Sequence, residues 1–316
     1  MQVKIAATGV HLPPRVQSSK ELAQLVGRSP AWIESRTGVH NRRISEEPLP
    51  ALAARAARAA LGDGPPPDLV LCAGASAHQL IPDNSVFLMR ELGLSGVPGF
   101  SVHATCLSFM VGFNTACALV HGGAYRRVLV VSAEQGSRCR DLEDAESAAL
   151  IGDGAAAAVL APTPEGESSE VLGSRMGTWP EGAEMAELQG FGSRHHPSDP
   201  ETTAEQNQFH MRGPRLIRLT LRAATSVLEA LQADTGVSLD DVDCVVPHQA
   251  SRVALDLIPR LGFPKEKVAD TGNCVAASLP MALAHAHAQG RLQRGMKVLL
   301  LGAGAGVSVG AVLLRW

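Results

Sequence analysis

Cys106 lies in Ser101-Val102-His103-Ala104-Thr105-Cys106-Leu107-Ser108-Phe109, between a strand-like stretch and a run of small apolar residues with helical character. A cysteine at the start of a helix feels the positive end of the helix dipole and the unpaired N–H groups there, and both lower its pKa toward the thiolate. The setting suits a nucleophile, and equally a small buried packing residue. His248 ends the apolar run Val245-Val246-Pro247, at the carboxyl end of an expected strand, where α/β folds present working side chains. A core histidine is the competing reading. Asn273, in Asp270-Thr271-Gly272-Asn273-Cys274, stands where polar turn residues give way to a helix, and alone it reads as a turn former. Gly302-Ala303-Gly304-Ala305-Gly306 follows another apolar run. It offers backbone N–H groups with little obstruction, which fits an oxyanion hole completed by the N–H of Cys106. The run lacks the lysine and the following helix of a phosphate loop. His195, His196, His285 and His287 show no metal-ligand spacing, so no metal site is expected.

The elements that must hold these residues occur twice. Asp68 to Ala73 resembles Asp243 to His248, Arg126 to Ala133 resembles Met296 to Ala303, and Gly154 to Leu160 resembles Gly306 to Leu313, in the same order. Each is a short, continuous apolar run, as expected of a strand buried on both faces. Helical stretches are predicted over Leu49–Leu61, Leu107–His121, Leu216–Leu231 and Leu279–Arg291. Strands alternating with helices imply a layered α/β fold. Cys106 lies 22 residues before Val128 and Asn273 lies 25 before Val298, so their loops are rough counterparts. A two-fold arrangement would bring both to one central site. The expected division is an N-terminal half over 1–165, a connector that partly covers a pocket over 166–210, and a C-terminal half over 211–316.

Composition narrows the function. Apolar residues at 45% and charged residues at 19% describe a folded, soluble chain. A net charge of −3 gives nucleic acid nothing to bind by, and 3% aromatics leave no stacking platform. The sequence has no run of 18 apolar residues, so no membrane span is expected, and the first residues are too polar for a signal peptide. Six cysteines without a Cys-x-x-Cys pair, most of them inside apolar runs, read as reduced thiols of a cytoplasmic protein.

Cysteine, histidine and asparagine in that order also occur in papain-like proteases, but the Cys-Gly-Ser-Cys-Trp surround is absent and the duplication would be unexplained. The chain instead resembles the β-ketoacyl-[acyl-carrier-protein] synthase III family of thiolase-fold condensing enzymes. The matching segments are Trp32 to Val39, Arg43-Ile44, Ala104-Thr105-Cys106, Gly152-Asp153-Gly154-Ala155, Pro247-His248-Gln249-Ala250, Gly272 to Pro280 and the terminal glycine-rich run. The resemblance implies five α/β/α/β/α layers made of two pseudo-duplicated halves, and a cytoplasmic homodimer. It implies acyl transfer from acyl-CoA or an acyl-carrier protein to Cys106, then decarboxylative Claisen condensation with malonyl-carrier protein. His248 and Asn273 would stabilise the decarboxylation, and the N–H groups of Cys106 and Ala305 would form the oxyanion hole. Such chemistry needs no cofactor beyond the phosphopantetheine handles of its substrates.

By the same resemblance Trp32, Arg36 and Thr37 would bind CoA, and Arg215, Arg218, Gln249 and Arg252 would meet the carrier protein. Arg212, Arg215, Arg218 and Arg222 fall on one helical face, a stripe suited to an acidic partner or simply to solvent. Phe87, Leu107 and Phe109 would shape the acyl pocket, Phe87 from across the dimer. Asp144-Ala145-Glu146 stands where the family carries an arginine opposite Trp32, and Thr105-Cys106-Leu107-Ser108-Phe109 replaces the more usual small residues around the nucleophile. These departures keep a second reading open, that of a specialised-metabolism relative that joins two acyl chains or passes the acyl group to oxygen or nitrogen. A degenerate, non-catalytic homologue would not be expected to keep Cys106, His248 and Asn273 together.

Overall fold

Strands apolar on both faces must be covered on both faces, and the chain builds its sheets that way. The computed structural model describes residues 1–256, 258 and 270–316. The first part runs β1 (Val3–His11), β2 (Arg15–Ser18), α1 (Ser19–Val26), α2 (Pro30–Thr37), β3 (Asn41–Ile44), α3 (Leu49–Leu61), β4 (Leu69–Ala73) and α4 (Asn84–Leu92). It continues through β5 (Gly99–Val102), α5 (Ser108–His121), β6 (Val128–Gln135), α6 (Ala145–Ala148) and β7 (Asp153–Pro162). Next come β8 (Glu170–Gly182), β9 (Ala186–Leu188), β10 (Phe209–Met211) and α7 (Gly213–Thr235). The last are β11 (Cys244–Pro247), α8 (Arg252–Asp256), α9 (Ser278–Ala288), β12 (Lys297–Gly304) and β13 (Gly306–Arg315).

The first sheet has the order β1-β7-β6-β4-β5, and the second has β8-β13-β12-β11. β4 is parallel to β6 and β11 is parallel to β12, while β6–β7 and β12–β13 are antiparallel. The outer pairs β1–β7 and β8–β13 are antiparallel too. The sheets therefore repeat one topology, and the paired segments seen in the sequence become β4 and β11, β6 and β12, β7 and β13.

Alternation along β4 shows the layering. Leu69, Leu71 and Ala73 face a central core shared with Phe109 and Phe113 of α5, Leu279 and Leu283 of α9, and Val298 and Leu300 of β12. Val70 and Cys72 face the other way, onto the alanine-rich α3. On the far side, Leu219, Ala223, Val227 and Leu231 of α7 recur at helical spacing and cover Leu299, Val309 and Ala311 of the second sheet. The layers are thus α3 and α4, sheet, α5 and α9, sheet, α7.

The segment expected as a connector divides differently. Residues 170–182 are β8, hydrogen-bonded along β13, so the second sheet already begins at Glu170. Only the stretch after β8 lies outside the two sheets, and it carries the small β9–β10 pair. Proline and glycine near this strand obscured its period. Among the described residues no helix is long and apolar enough to cross a membrane.

Candidate active site

Two turns with the same construction face each other across the seam of the halves. In the first, residues 105–107 form a tight 3-10 turn that leads into α5, and Thr105 has φ of 50°. The Ala104 N–H donates to Ser108 Oγ at 2.9 Å, and the Ser108 hydroxyl donates to the Thr105 carbonyl at 2.7 Å. In the second, residues 275–277 form the turn before α9, Val275 has φ of 46°, and the Cys274 N–H donates to Ser278 Oγ at 2.8 Å. A β-branched residue in the left-handed region is strained, and two such residues at matching places mark a conformation held for function. Ala276 lies 22 residues before Val298, as Cys106 does before Val128, so the counterpart of Cys106 is Ala276. The two loops expected as rough counterparts are therefore matched residue by residue, and Asn273 corresponds to His103. The repeated serine, at 108 and 278, was the signal in the sequence that fixes this register.

Cys106 sits against the end of β12. A β-carbon on Gly304 would lie 2.6 Å from Thr105 Oγ1 and 3.3 Å from the Cys106 nitrogen, so this approach requires glycine. The backbone N–H of Ala305 favours the ionised form of the Cys106 sulfur. Burial nevertheless pushes the thiol up to about 12, aided by the charge of Glu134, against the smaller pull of the N–H groups of Ala305 and Cys106. The lowered pKa expected from the helix start is therefore not found. Cys106 precedes α5 by a 3-10 turn, and desolvation outweighs the local donors.

His248 continues the β11 ladder, donating its N–H to the Leu301 carbonyl at 2.7 Å. It is 7% exposed, and burial lowers its pKa to about 4, so the imidazole is neutral at pH 7. Its Nδ1 is buried without a hydrogen-bond partner among the described residues. Gly302 joins it to the Cys106 turn: a β-carbon there would lie 3.6 Å from His248 Cβ and 2.7 Å from Leu107 Cδ2. Asn273 is fixed from both ends. Its backbone N–H donates to the Leu150 carbonyl at 2.7 Å, and its carbonyl accepts the Gly152 N–H at 3.0 Å. Its Oδ1 accepts the Val275 N–H at 2.9 Å and the Ser278 hydroxyl at 3.3 Å. Holding the oxygen leaves Nδ2 to donate to a ligand. The Cys106 turn packs against both the Asn273 turn and β12, so thiol, imidazole, amide and glycine-rich bend converge.

The outlying candidates separate. Trp32 is half-buried on α2 with the Arg28 guanidinium 5.4 Å from its ring centre, and Arg36 reaches Glu146 at 3.7 Å. Thr37 is buried, its hydroxyl donating to the Ile33 carbonyl and accepting the Val39 N–H, and this closes α2. Arg215 and Arg218 are exposed on α7 beside exposed Ile217 and Leu221. Arg252 is exposed on α8, with its side chain crossing Gly38. Gln249 is buried. Phe87 is half-buried, edge-on to His78 and under Arg90. Leu107 fills the space left by Gly302 and Gly310, next to Met110. Phe109 is buried in the central layer with its ring tilted against that of Phe113. Sequence reading missed Glu134, a fully buried carboxylate at the end of β6. A lone acid closing an apolar strand was its only signal.

Comparison with known proteins places the chain in a family. The family description 3-oxoacyl-[acyl-carrier-protein (ACP)] synthase III matches residues 100–180, and its C-terminal counterpart matches residues 232–316. The chain is 36% identical over 323 residues to a beta-ketoacyl-[acyl-carrier-protein] synthase III of Rhizobium johnstonii, covering 98% of this chain and 97% of that protein. It is similar in structure to the 3-oxoacyl-[acyl-carrier-protein] synthase III of Aquifex aeolicus, with a TM-score of 0.87, 31% identity, and coverage of 99% of this chain and 100% of the other. A priming beta-ketosynthase from the R1128 polyketide biosynthetic pathway gives a TM-score of 0.88 at 29% identity, covering 99% of this chain and 96% of that one.

Proposed function

The chain belongs to the β-ketoacyl-[acyl-carrier-protein] synthase III family and is an acyl-transferring condensing enzyme of that type, and from this premise we propose how its residues divide the work. The observation that carries the reading is the convergence of the Cys106 thiol, beneath the Ala305 N–H, with a neutral His248 and an Asn273 amide anchored by its oxygen. In the first half-reaction Cys106 Sγ attacks the carbonyl of an acyl thioester. The N–H groups of Cys106 and Ala305 hold the oxyanion, and the donor thiol leaves with the proton that Cys106 gives up. In the second, the malonyl carboxylate leaves as CO2 and its bonding pair moves into an enolate. N–H donors on His248 and Asn273 stabilise the thioester oxygen as it gains charge. The enolate carbon then attacks the acyl-enzyme carbonyl, and collapse expels Cys106 and yields the 3-oxoacyl thioester.

A donor at pH 7 must carry its N–H without competing as an acid, and a buried neutral imidazole does that. The chemistry consumes no resident cofactor, because CoA and phosphopantetheine enter as substrate handles. The stripe of Arg212, Arg215, Arg218 and Arg222, with Ile217 and Leu221 among them, offers charge and apolar contact to an acidic carrier protein. Trp32 and Arg36 remain the surface for the CoA nucleotide. Two copies pair through the edge strand β5, beside which Leu80, Ile81, Val86 and Phe100 are exposed. Six free cysteines, all buried or half-buried, fit a cytoplasmic setting.

Incubation with a panel of acyl-CoAs and acyl-carrier proteins, followed by intact mass measurement, tests the first half-reaction. A thioester-sized gain in the wild type that is absent in Cys106→Ala supports it and reports the preferred handle. An equal gain in both proteins contradicts it.

A further inference from the structure

β6 ends near Glu134, a carboxylate with 0% of its surface exposed and no part in the chemistry assigned above. One oxygen accepts the Ala75 N–H at 2.7 Å and the other the Ser76 N–H at 2.8 Å. The Ser76 hydroxyl and the Ala276 N–H also favour its ionised form, β6 packs against the turn over residues 275–277, and among the described residues no cation takes part in holding it. Every partner is a donor, so both side-chain oxygens must accept; a carboxylate can do this and a carboxamide cannot.

These donors come from different halves. Ala75 and Ser76 follow β4, whereas Ala276 belongs to the turn that presents Asn273. In that turn the adjacent N–H, of Val275, is the one that holds Asn273 Oδ1 at 2.9 Å. Val275 keeps its strained φ of 46° at this point, so the turn must be held from outside. The two-fold relation adds a second argument. Ala276 corresponds to Cys106, and Glu134 corresponds to Gly304, six residues beyond Val128 and Val298 respectively. In one half a carboxylate side chain stands beside the turn; in the other the equivalent residue is glycine, which lets β12 come close to the Cys106 turn.

We propose that Glu134 is a positioning residue for the condensation step, its carboxylate stapling the Asn273 turn to the loop after β4 and so aiming the Asn273 amide. This rests on the role given to Asn273 above. The titratable groups that face Glu134 are the thiols of Cys106 before α5, Cys139 after β6 and Cys274 before α9, all pushed upward by burial and therefore neutral at pH 7. Burial also raises Glu134 itself, to about 7. The staple needs the ionised form, so condensation weakens as pH falls through that value.

The test separates the half-reactions in wild type, Glu134→Gln and Ser76→Ala. Cys106 acylation is followed by intact mass, and single-turnover discharge of the preformed acyl-enzyme by malonyl-carrier protein is followed on both sides of neutrality. Glu134→Gln is expected to slow discharge roughly tenfold or more beyond any change in acylation, and to lose the acid limb near neutrality. Ser76→Ala removes one donor to the carboxylate and moves that limb to higher pH, which keeps the test open if the glutamine variant does not fold. Equal slowing of both steps by Glu134→Gln, or an acid limb unmoved by Ser76→Ala, overturns the proposal. Wild-type enzyme that acylates but releases no CO2 from malonyl-carrier protein overturns instead the condensation reading on which it rests.

Discussion

At Cys106 two influences on the thiol point in opposite directions. Burial and the nearby Glu134 raise its pKa to about 12, while two backbone N–H groups pull it down by less. The free enzyme therefore holds a protonated thiol at neutral pH, and its nucleophile forms with substrate in place. Alkylation of Cys106 by iodoacetamide is expected to keep rising with pH through the alkaline range; a plateau at or below neutrality would contradict this. On the proposed mechanism His248 and Asn273 act later. Replacing either with alanine is expected to slow condensation by about 10²–10³-fold, the usual loss for one well-aimed donor, with acylation of Cys106 little changed. Stopped-flow assay of each half-reaction checks the split, and a matching loss in acylation would argue against it. The places of all three residues in the fold were legible in the sequence because each closes a recognisable pattern of strand or turn. The state of the thiol was not legible, since it depends on how deeply the turn is buried, which no local sequence states.

At the scale of the element, the two serine-locked turns aim the chemistry. Ser108 and Ser278 are buried, and each accepts the N–H of the residue four places earlier. Removing either hydroxyl strands a buried donor, at a cost of about 1–3 kcal/mol. Urea midpoints of Ser108→Ala and Ser278→Ala should both fall, and only Ser278→Ala, which also releases the Asn273 amide, should slow condensation more than acylation. Gly304→Ala would place a methyl against Thr105 Oγ1 and the Cys106 nitrogen. The predicted result is a folded protein with acylation reduced by an order of magnitude or more; wild-type rates would show that the turn can yield. The six strands of the repeat and the four main helices were legible from the sequence pattern, with helix ends within a few residues. β8 was not, because Gly173, Gly177 and Pro180 interrupt its pattern and its pairing partner lies far along the chain. Thr37, Gln249 and Phe109 sit at matching sequence positions but turn inward, a distinction that exposure makes and spacing does not.

The whole molecule places its site where the halves meet, so neither half holds a complete set of groups: Cys106 comes from one, and His248, Asn273 and Ala305 from the other. Pairing through β5 would add Phe87 to the partner's acyl pocket. Light scattering is expected to give twice the 33.1 kDa chain mass for the wild type and a shift toward single chains for Phe100→Lys. A wild-type monomer with full activity would remove the dimer from the account. The repeat, and with it the central placement of the site, was legible in three paired apolar runs; the staple by Glu134 was not, because its donors lie far apart in sequence. The most direct measurement of the central claim is a single turnover of Cys106-acylated enzyme with malonyl-carrier protein labelled in its free carboxylate. The account predicts one labelled CO2 for each acyl group discharged, with a 3-oxoacyl-carrier protein as product. Discharge without CO2 release, to water, an alcohol or an amine, would contradict it.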